Sequence, residues 1–280
     1  MVRILVPTDF SANSKVGIRF AIQLSKQQKS ELIFVYVFHA IKMPQWSDAI
    51  YKKYMDSEEN ILLRKLQQFI VSMYRSMQIR PTSYSCVVKH GISPDISIMD
   101  FCRSRNNIDF ICIATRGASK LNKLFGTITG NLITKCGVPV IAVPKNYRKK
   151  SVTRLLYTTD FYNYKEELKK VVAFARPLNA KIDMLHLTWP NEILPDRKTM
   201  ERDIKKSYHF DIGLEIQKTN LLGSLYHDLK KQIERVKPSM IAIFTDQHRS
   251  LFQKIFFPSK AEKLSYSSTI PLLVFPKKIE

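Results

Sequence analysis

Short runs of apolar and β-branched residues alternate along the chain with longer segments whose apolar positions recur every three or four residues. In the first half the strand-like runs are Val2–Val6, Glu31–Val37, Ser83–Val88, Ile108–Ala114 and Val138–Val143. Between them, Asn13–Lys26 brings Val16, Phe20, Ile22 and Leu24 near one helical face. Asp48–Met77 spaces Ile61, Leu62, Leu66, Phe69, Ile70 and Met73 close to the helical period. Gly91 precedes a third helix over Ser93–Cys102, where Ser93 reads as an N-cap and Pro94 as the first helical residue. A fourth helix falls before the last strand. Strands joined by crossover helices predict a parallel sheet, and their nearly continuous apolar character predicts helices on both faces.

The second half repeats this order. Strands are predicted at Val152–Tyr157, Lys181–Leu187, Tyr208–Ile216, Met240–Thr245 and Ile270–Phe275, with helices at Tyr164–Arg176, Asp196–Lys206, Leu221–Val236 and Lys260–Ser267. The repeat is visible in the letters as well. VRILVPTDF at Val2–Phe10 returns as TRLLYTTDF at Thr153–Phe161, so that Asp160 lies 151 residues after Asp9. KSELIFVYV (Lys29–Val37) resembles NAKIDMLHL (Asn179–Leu187), and PVIAVP (Pro139–Pro144) resembles PLLVFP (Pro271–Pro276). Self-similarity over so long a period indicates one α/β unit written twice. Two domains follow, 1–146 and 151–280, joined at the basic stretch Lys145–Lys150.

Composition narrows the partners. The chain has 280 residues, with 45% hydrophobic and 25% charged residues, and no apolar run reaches the roughly 18 residues that cross a bilayer. No membrane partner is expected. The start of the chain goes straight into a strand pattern without a secretory signal, which makes the cytoplasm the expected compartment. Cys86, Cys102, Cys112 and Cys136 show no metal-binding spacing and read as reduced thiols. The net charge is +21, with 23 Lys/Arg against 9 Asp/Glu in residues 1–150 and 22 against 15 thereafter. Such a field attracts anions, yet only Lys145–Lys150 is locally dense, so nucleic acid is not the expected partner. The six histidines lack metal-ligand spacing, and no general base with an orienting partner stands out, so catalysis is not implied.

In parallel α/β sheets ligands bind beyond the carboxyl ends of the strands, where strand order reverses. Asp9, Asp160 and the residues after Ala114 fall there. The stretch Ile113–Ile128 (IATRGASKLNKLFGTI) supplies Gly117, Gly126 and Thr127 ahead of a helix. Glycines let backbone N–H groups approach phosphate oxygens, and a helix amino end favours an anion. The same residues also fit an ordinary turn. Asp9 reads equally as a ligand contact, assisting Mg²⁺ or a water, and as a carboxylate that bonds local backbone N–H groups. Trp46, Tyr51 and Tyr54, near Met43 and Met55, form either a hydrophobic lid or a contact between the two domains.

Residues 1–144 resemble the universal stress protein family. The resemblance rests on the early VPTD, the strand end at Val37, Gly91 with Pro94, the ATRGAS segment and the closing GVPVIAVP. It implies two tandem Rossmann-like domains of the adenine nucleotide alpha hydrolase-like type. Each would hold a five-stranded parallel sheet of order 3-2-1-4-5, with edge strands that pair in dimers. It also implies a stress-response role and adenine nucleotide binding, with ATP, alone or with Mg²⁺, as the ligand. Carried over residue by residue, Pro7, Asp9 and Val37 border adenine and ribose, Ile113 closes the base pocket, and Arg116, Gly117, Gly126 and Thr127 hold the phosphates. Ala114 stands where the family has its first glycine, and eight residues separate Gly117 from Gly126 where the family has nine. A helix that starts later, with Thr129 and Gly130 in the turn, would offset that deficit.

The second copy departs further. Phe244 replaces Ala114, Asp246 replaces Arg116, Gln247 replaces Gly117, and Pro258-Ser259 replaces Gly126-Thr127. Proline removes a backbone donor and aspartate repels phosphate. The expectation is therefore an ATP-binding first domain with a structural or regulatory second one, the two forming an intramolecular pseudo-dimer in which Val138–Val143 meets Ile270–Phe275. Further association into a homodimer is compatible with this arrangement. The alternative is an interaction module without nucleotide, its cationic surface recruiting a protein or polyanion.

Overall fold

Successive side chains of a strand point to opposite faces, and the strands of this chain bury both. Ile4 and Val6 enter one core with Leu32 and Phe34, while Leu5 enters a second core with Ile33 and Val35. The same division holds in the second half, where Leu155 and Tyr157 face one side and Leu156 the other. The computed structural model describes residues 1–115, 127–148, 150–188, 196–218, 225–245 and 269–276.

The first half runs β1 (Val2–Pro7), α1 (Ser14–Gln27), β2 (Ser30–Phe38), α2 (Asp48–Ser76), β3 (Tyr84–His90), α3 (Pro94–Arg105), β4 (Phe110–Ala114), α4 (Thr127–Lys135) and β5 (Val140–Val143). The second runs β6 (Arg154–Thr159), α5 (Tyr164–Ala175), a 3₁₀ turn (Arg176–Leu178), β7 (Lys181–Thr188), α6 (Arg197–Tyr208), β8 (Ile212–Lys218), α7 (Leu225–Val236), β9 (Met240–Phe244) and β10 (Leu272–Phe275). The expected helix Lys260–Ser267 lies outside the described residues. The strand expected over Tyr208–Ile216 begins instead at Ile212. α6 continues to Tyr208, and His209 takes a left-handed conformation (φ 45°) that ends the helix.

The ten strands form one sheet of order β3-β2-β1-β4-β5-β10-β9-β6-β7-β8. Neighbours are parallel except at the centre, where β10 runs antiparallel to β5 with Leu273 opposite Ile141. Each half therefore reads third, second, first, fourth, fifth, and the two fifth strands meet. Two further contacts join the halves. Phe110 and Phe174 meet edge to face at 5.2 Å. The Gln27 side chain donates to the Val152 carbonyl at 3.2 Å and accepts from the Val152 N–H at 2.8 Å.

Val152 is 2% exposed, so both of its backbone groups depend on Gln27 in place of water. Gln27→Ala is expected to destabilise the chain by about 1–3 kcal/mol, because it leaves a buried donor and acceptor unpaired. Urea denaturation of the two proteins measures the difference.

Candidate functional site

The repeated Thr-Asp-Phe builds the same turn twice. After β1, the Phe10 N–H donates to Thr8 Oγ1 at 3.2 Å and the Ser11 N–H to Asp9 Oδ1 at 3.0 Å. After β6, the Phe161 N–H donates to Thr159 Oγ1 and the Tyr162 N–H to Asp160 Oδ1, both at 3.0 Å. Phe10 (φ 61°) and Phe161 (φ 65°) both take the left-handed conformation. A bulky residue is uncommon there. The side-chain oxygens supply the hydrogen bonds that hold it, and the phenyl ring packs on the next strand, Phe10 on Tyr36 at 4.6 Å and Phe161 on His186 at 4.3 Å. Asp9 thus has a structural task. Burial alone would raise its carboxyl, but bonds from the Ser11 side chain and backbone and from Ser14 outweigh it and hold the group below the ordinary value.

That turn sets α1 against β4. Gly17 makes the close approach: a Cβ there would lie 2.9 Å from the Ala114 nitrogen and 3.5 Å from the Ala114 methyl. The Ala114 side chain is consequently turned toward α1, beside the one position on that helix that lacks a side chain.

Beyond the carboxyl ends of β1, β2 and β4 lies a cavity of about 320 Å³. Of the candidate residues, Pro7, Asp9, Val37, Ile113, Ala114 and Thr127 all line it; Arg116, Gly117 and Gly126 lie outside the described residues. Thr129, named with the turn, lines it as well, and so do Thr8, Asn13, Ser14, Val35, Pro94, Ile98 and Ile128, which the pattern had not placed in the site. The Oδ1 of Asn13 is itself buried and has no hydrogen-bond partner among the described residues. α4 is already helical at Thr127, so Thr129 and Gly130 belong to its first turn, not to a preceding loop. Thr127 and Thr129 both line the cavity from this first turn.

α3 and α4 are tied together along one side of the cavity. Asn131 Nδ2 donates to the Asp95 carboxylate at 2.5 Å, and Ser93 Oγ donates to its other oxygen. Ser93 was expected to cap α3 with its side chain; in its place the hydroxyl turns to Asp95, and the helix start relies on Pro94, which has no N–H to satisfy. Further along, Cys102 of α3 neighbours Cys136, just past the end of α4; that neighbour holds the Cys136 thiol below the ordinary value against the effect of burial and raises that of Cys102.

The corresponding positions of the second half are bulkier. Leu185 and Leu187 stand where Val35 and Val37 do, Leu168 where Gly17 does, and Phe244 where Ala114 does. The Phe244 ring stacks on Phe275 at 4.6 Å and lies 6.0 Å from Tyr157, whose hydroxyl donates to the buried Glu167 carboxylate at 2.5 Å. Asp246, Gln247, Pro258 and Ser259 lie outside the described residues. The Trp46 cluster belongs to the first half alone: Trp46 packs 4.9 Å from Tyr54 and Tyr51 donates to the Ala40 carbonyl, all at the start of α2. Its expected placement between the halves is corrected, because α2 lies toward the β3 edge of the sheet, far from the β5–β10 seam. Among the described residues no group of His, Cys, Asp and Glu is placed to hold a metal ion, and no helix is long and apolar enough to cross a membrane.

Fold and crevice together define an α/β protein with a cavity at the switch point between β1 and β4. The model of the universal stress protein family matches residues 1–144, just over half of the sequence, and the chain belongs to that family. The whole length is similar in fold to a universal stress protein from Archaeoglobus fulgidus, with 19% identity, 98% of each chain covered and a TM-score of 0.70. A putative universal stress protein from Pseudomonas aeruginosa is similar at 12% identity, with 98% of this chain and 92% of that one covered and a TM-score of 0.57. A comparison with curated proteins finds no match.

Asp95 supplies a test of how the cavity wall is held. Burial would raise its carboxyl, but the Ser93 and Asn131 bonds hold it below the ordinary aspartate value. A depressed carboxylate stabilises the fold fully above its unfolded value of about 3.9 and loses that contribution as pH falls through the lower folded value. Asp95→Ala is expected to be less stable than the parent at pH 6, with the gap closing under acid. Urea midpoints measured across that range would show it, and a gap that stays constant would count against the hydrogen-bonded carboxylate.

Proposed function

We propose that the first half, residues 1–146, is a domain that binds ATP or another adenine nucleotide, and that residues 151–280 form a second domain with a structural or regulatory part in an intramolecular pseudo-dimer. The observation that carries this reading is the cavity at the carboxyl ends of β1, β2 and β4, lined by all six of the described candidate residues. Its size lies at the lower end of ligand-sized pockets, which begin at about 300 Å³. Its apolar wall of Pro7, Val35, Val37, Ile98 and Ile113 suits the faces of a base. The start of α4, with Thr127 and Thr129, suits phosphate. Gly117, Gly126 and Arg116 would complete the phosphate contacts.

Ala114 is no obstacle to this reading, because its methyl is accommodated beside Gly17 and the cavity remains with Ala114 in its wall. Asp9 sits at the exposed mouth, where it would meet the ribose or a Mg²⁺ ion carried in with the phosphates. The part proposed for the chain is binding in a stress response, in the cytoplasm, without a catalytic step. For the second half, the bulk at Leu185, Leu187 and Phe244 supports a role other than holding a nucleotide.

Isothermal titration with MgATP tests the assignment. Binding to one site per chain is expected, abolished by Gly117→Asp and unchanged by Gln247→Asp at the matching place in the second half. Equal loss in both variants would overturn the division of labour between the halves. No heat and no thermal stabilisation at millimolar nucleotide would overturn nucleotide binding and leave a module that recruits a protein or polyanion.

A further inference from the structure

The four cysteines, all free, divide between the two faces of the sheet. Cys112 lies in the core shared with α1 and α2, where its thiol donates to the Gly17 carbonyl at 3.5 Å, and Cys86 packs against the same core. These two cannot meet. Cys86 is on β3 and Cys112 on β4, with β2 and β1 between them, so at the ordinary strand spacing they stand about 14 Å apart. A disulfide spans no more than about 7 Å between Cα atoms. Cys102 and Cys136 belong to the opposite core, covered by α3 and α4.

There the fold brings two sulfurs side by side. α3 and α4 are first tied where Asn131 donates to Asp95 at 2.5 Å. Cys102 lies two turns beyond Asp95 on the same face of α3, and Cys136 follows Asn131 where α4 has just ended. The two cysteine side chains are neighbours. Gly137 then turns the chain through the left-handed region (φ 74°), and the Val138 N–H comes back toward the Cys136 sulfur. Cys102, that N–H and the Arg103 guanidinium outweigh burial and hold the Cys136 thiol below its ordinary value, although Arg103 also pairs with Asp100 at 3.0 Å. Cys136 and burial raise Cys102, and burial alone raises Cys112 and pushes Cys86 up to about 11. The thiolate, which is the reactive form, is thus favoured at Cys136.

We propose that Cys102 and Cys136 are a site of reversible oxidation, joined as a disulfide when the protein meets a small hydroperoxide such as hydrogen peroxide. The Cys136 thiolate attacks one peroxide oxygen, the O–O bond breaks, and the hydroxide that leaves takes up a proton as water. Its sulfur is oxidised to a sulfenic acid while the peroxide is reduced. The Cys102 sulfur then attacks the Cys136 sulfur; the S–S bond forms, the S–O bond breaks, and hydroxide departs with the Cys102 proton as a second water. Access selects the oxidant. Cys136 is 8% exposed and Cys102 5%, an opening that suits a molecule little larger than water and excludes a bulky disulfide. The product clamps α3 to α4, the helices whose Ile98 and Ile128 line the cavity, and a dithiol reductant reverses it. The proposal is independent of nucleotide binding.

Reduced protein freed of reductant and given about a tenfold excess of hydrogen peroxide tests it. Free thiols are expected to fall from four to two. Peptide mapping without reduction should find Cys102 joined to Cys136 within one chain, and dithiothreitol should restore both thiols. The oxidised chain should melt several degrees higher, because the link constrains the unfolded state. Cys102→Ser should stop at a Cys136 sulfenic acid that dimedone labels, and Cys136→Ser should lose thiols at least about tenfold more slowly. Glutathione disulfide should react at least about tenfold more slowly than peroxide. Four surviving thiols overturn the proposal, as does a link through Cys86 or Cys112 or between chains. A melting point that stays or falls overturns the clamp, and equal reaction with glutathione disulfide overturns the choice of oxidant. Because the mapping uses the unaltered protein, a serine variant that fails to fold does not remove the test.

Discussion

The arrangement of each half depends on one backbone turn, in which a threonine and an aspartate lend their side-chain oxygens to the N–H groups two residues ahead and so hold a phenylalanine in the left-handed region. Without those bonds a bulky residue at positive φ is disfavoured, and the chain would leave the strand at another angle. With them, α1 returns across β4 close enough that only glycine fits at position 17. The crevice at the end of β1 is a consequence: its floor is the strand ends and its near wall is the start of α1.

The two halves share that turn and differ in what they do with the space around it. In the first, valines at 35 and 37 leave room above the strand ends, and the α3–α4 wall is held off by the Asp95–Asn131 bond. In the second, leucines replace both valines, and an aromatic group of Tyr157, Phe244 and Phe275 occupies the α5 side of the sheet. The helix–strand contact has changed together with it, since Leu168 and Phe244 cannot approach as Gly17 and Ala114 do. Volume has been redistributed within one topology, as close-packed interiors require when a small residue becomes large.

Most of the architecture was legible because the periods are strong. The apolar runs placed every described strand, and the VPTDF and TTDF repeats announced that the order would recur. Ends were less legible for local reasons: α6 runs on until His209 turns left-handed, which no glycine or proline signals. Of the site, the residues on strand ends were readable, since they follow directly from the strand positions. Asn13, Pro94 and Ile98 were not, because they reach the cavity only through the way α1 and α3 settle on the sheet. Asp95 could not be distinguished from a favourable acid in the first turn of a helix until Asn131 was seen beside it.

The antiparallel meeting of β5 and β10 accounts for a half that keeps its fold while its strand ends carry bulkier residues. A fifth strand at the edge of a sheet exposes unpaired N–H and C=O groups that recruit other strands unless covered. Here Leu272, Leu273 and Val274 cover Ala142, Ile141 and Val140, and Gln27 and Phe110 make further contacts across the seam with Val152 and Phe174. Those contacts need the second half of the sheet to be present and correctly twisted, but they place no demand on the far ends of its strands. The ends of β6, β7 and β9 are therefore free to accumulate leucine and phenylalanine, which strengthens the local core, whereas the same changes beside β1, β2 and β4 would close the cavity. An asymmetric pair of this kind follows when one surface of a repeated unit is constrained by strand pairing and the opposite end is left free to vary.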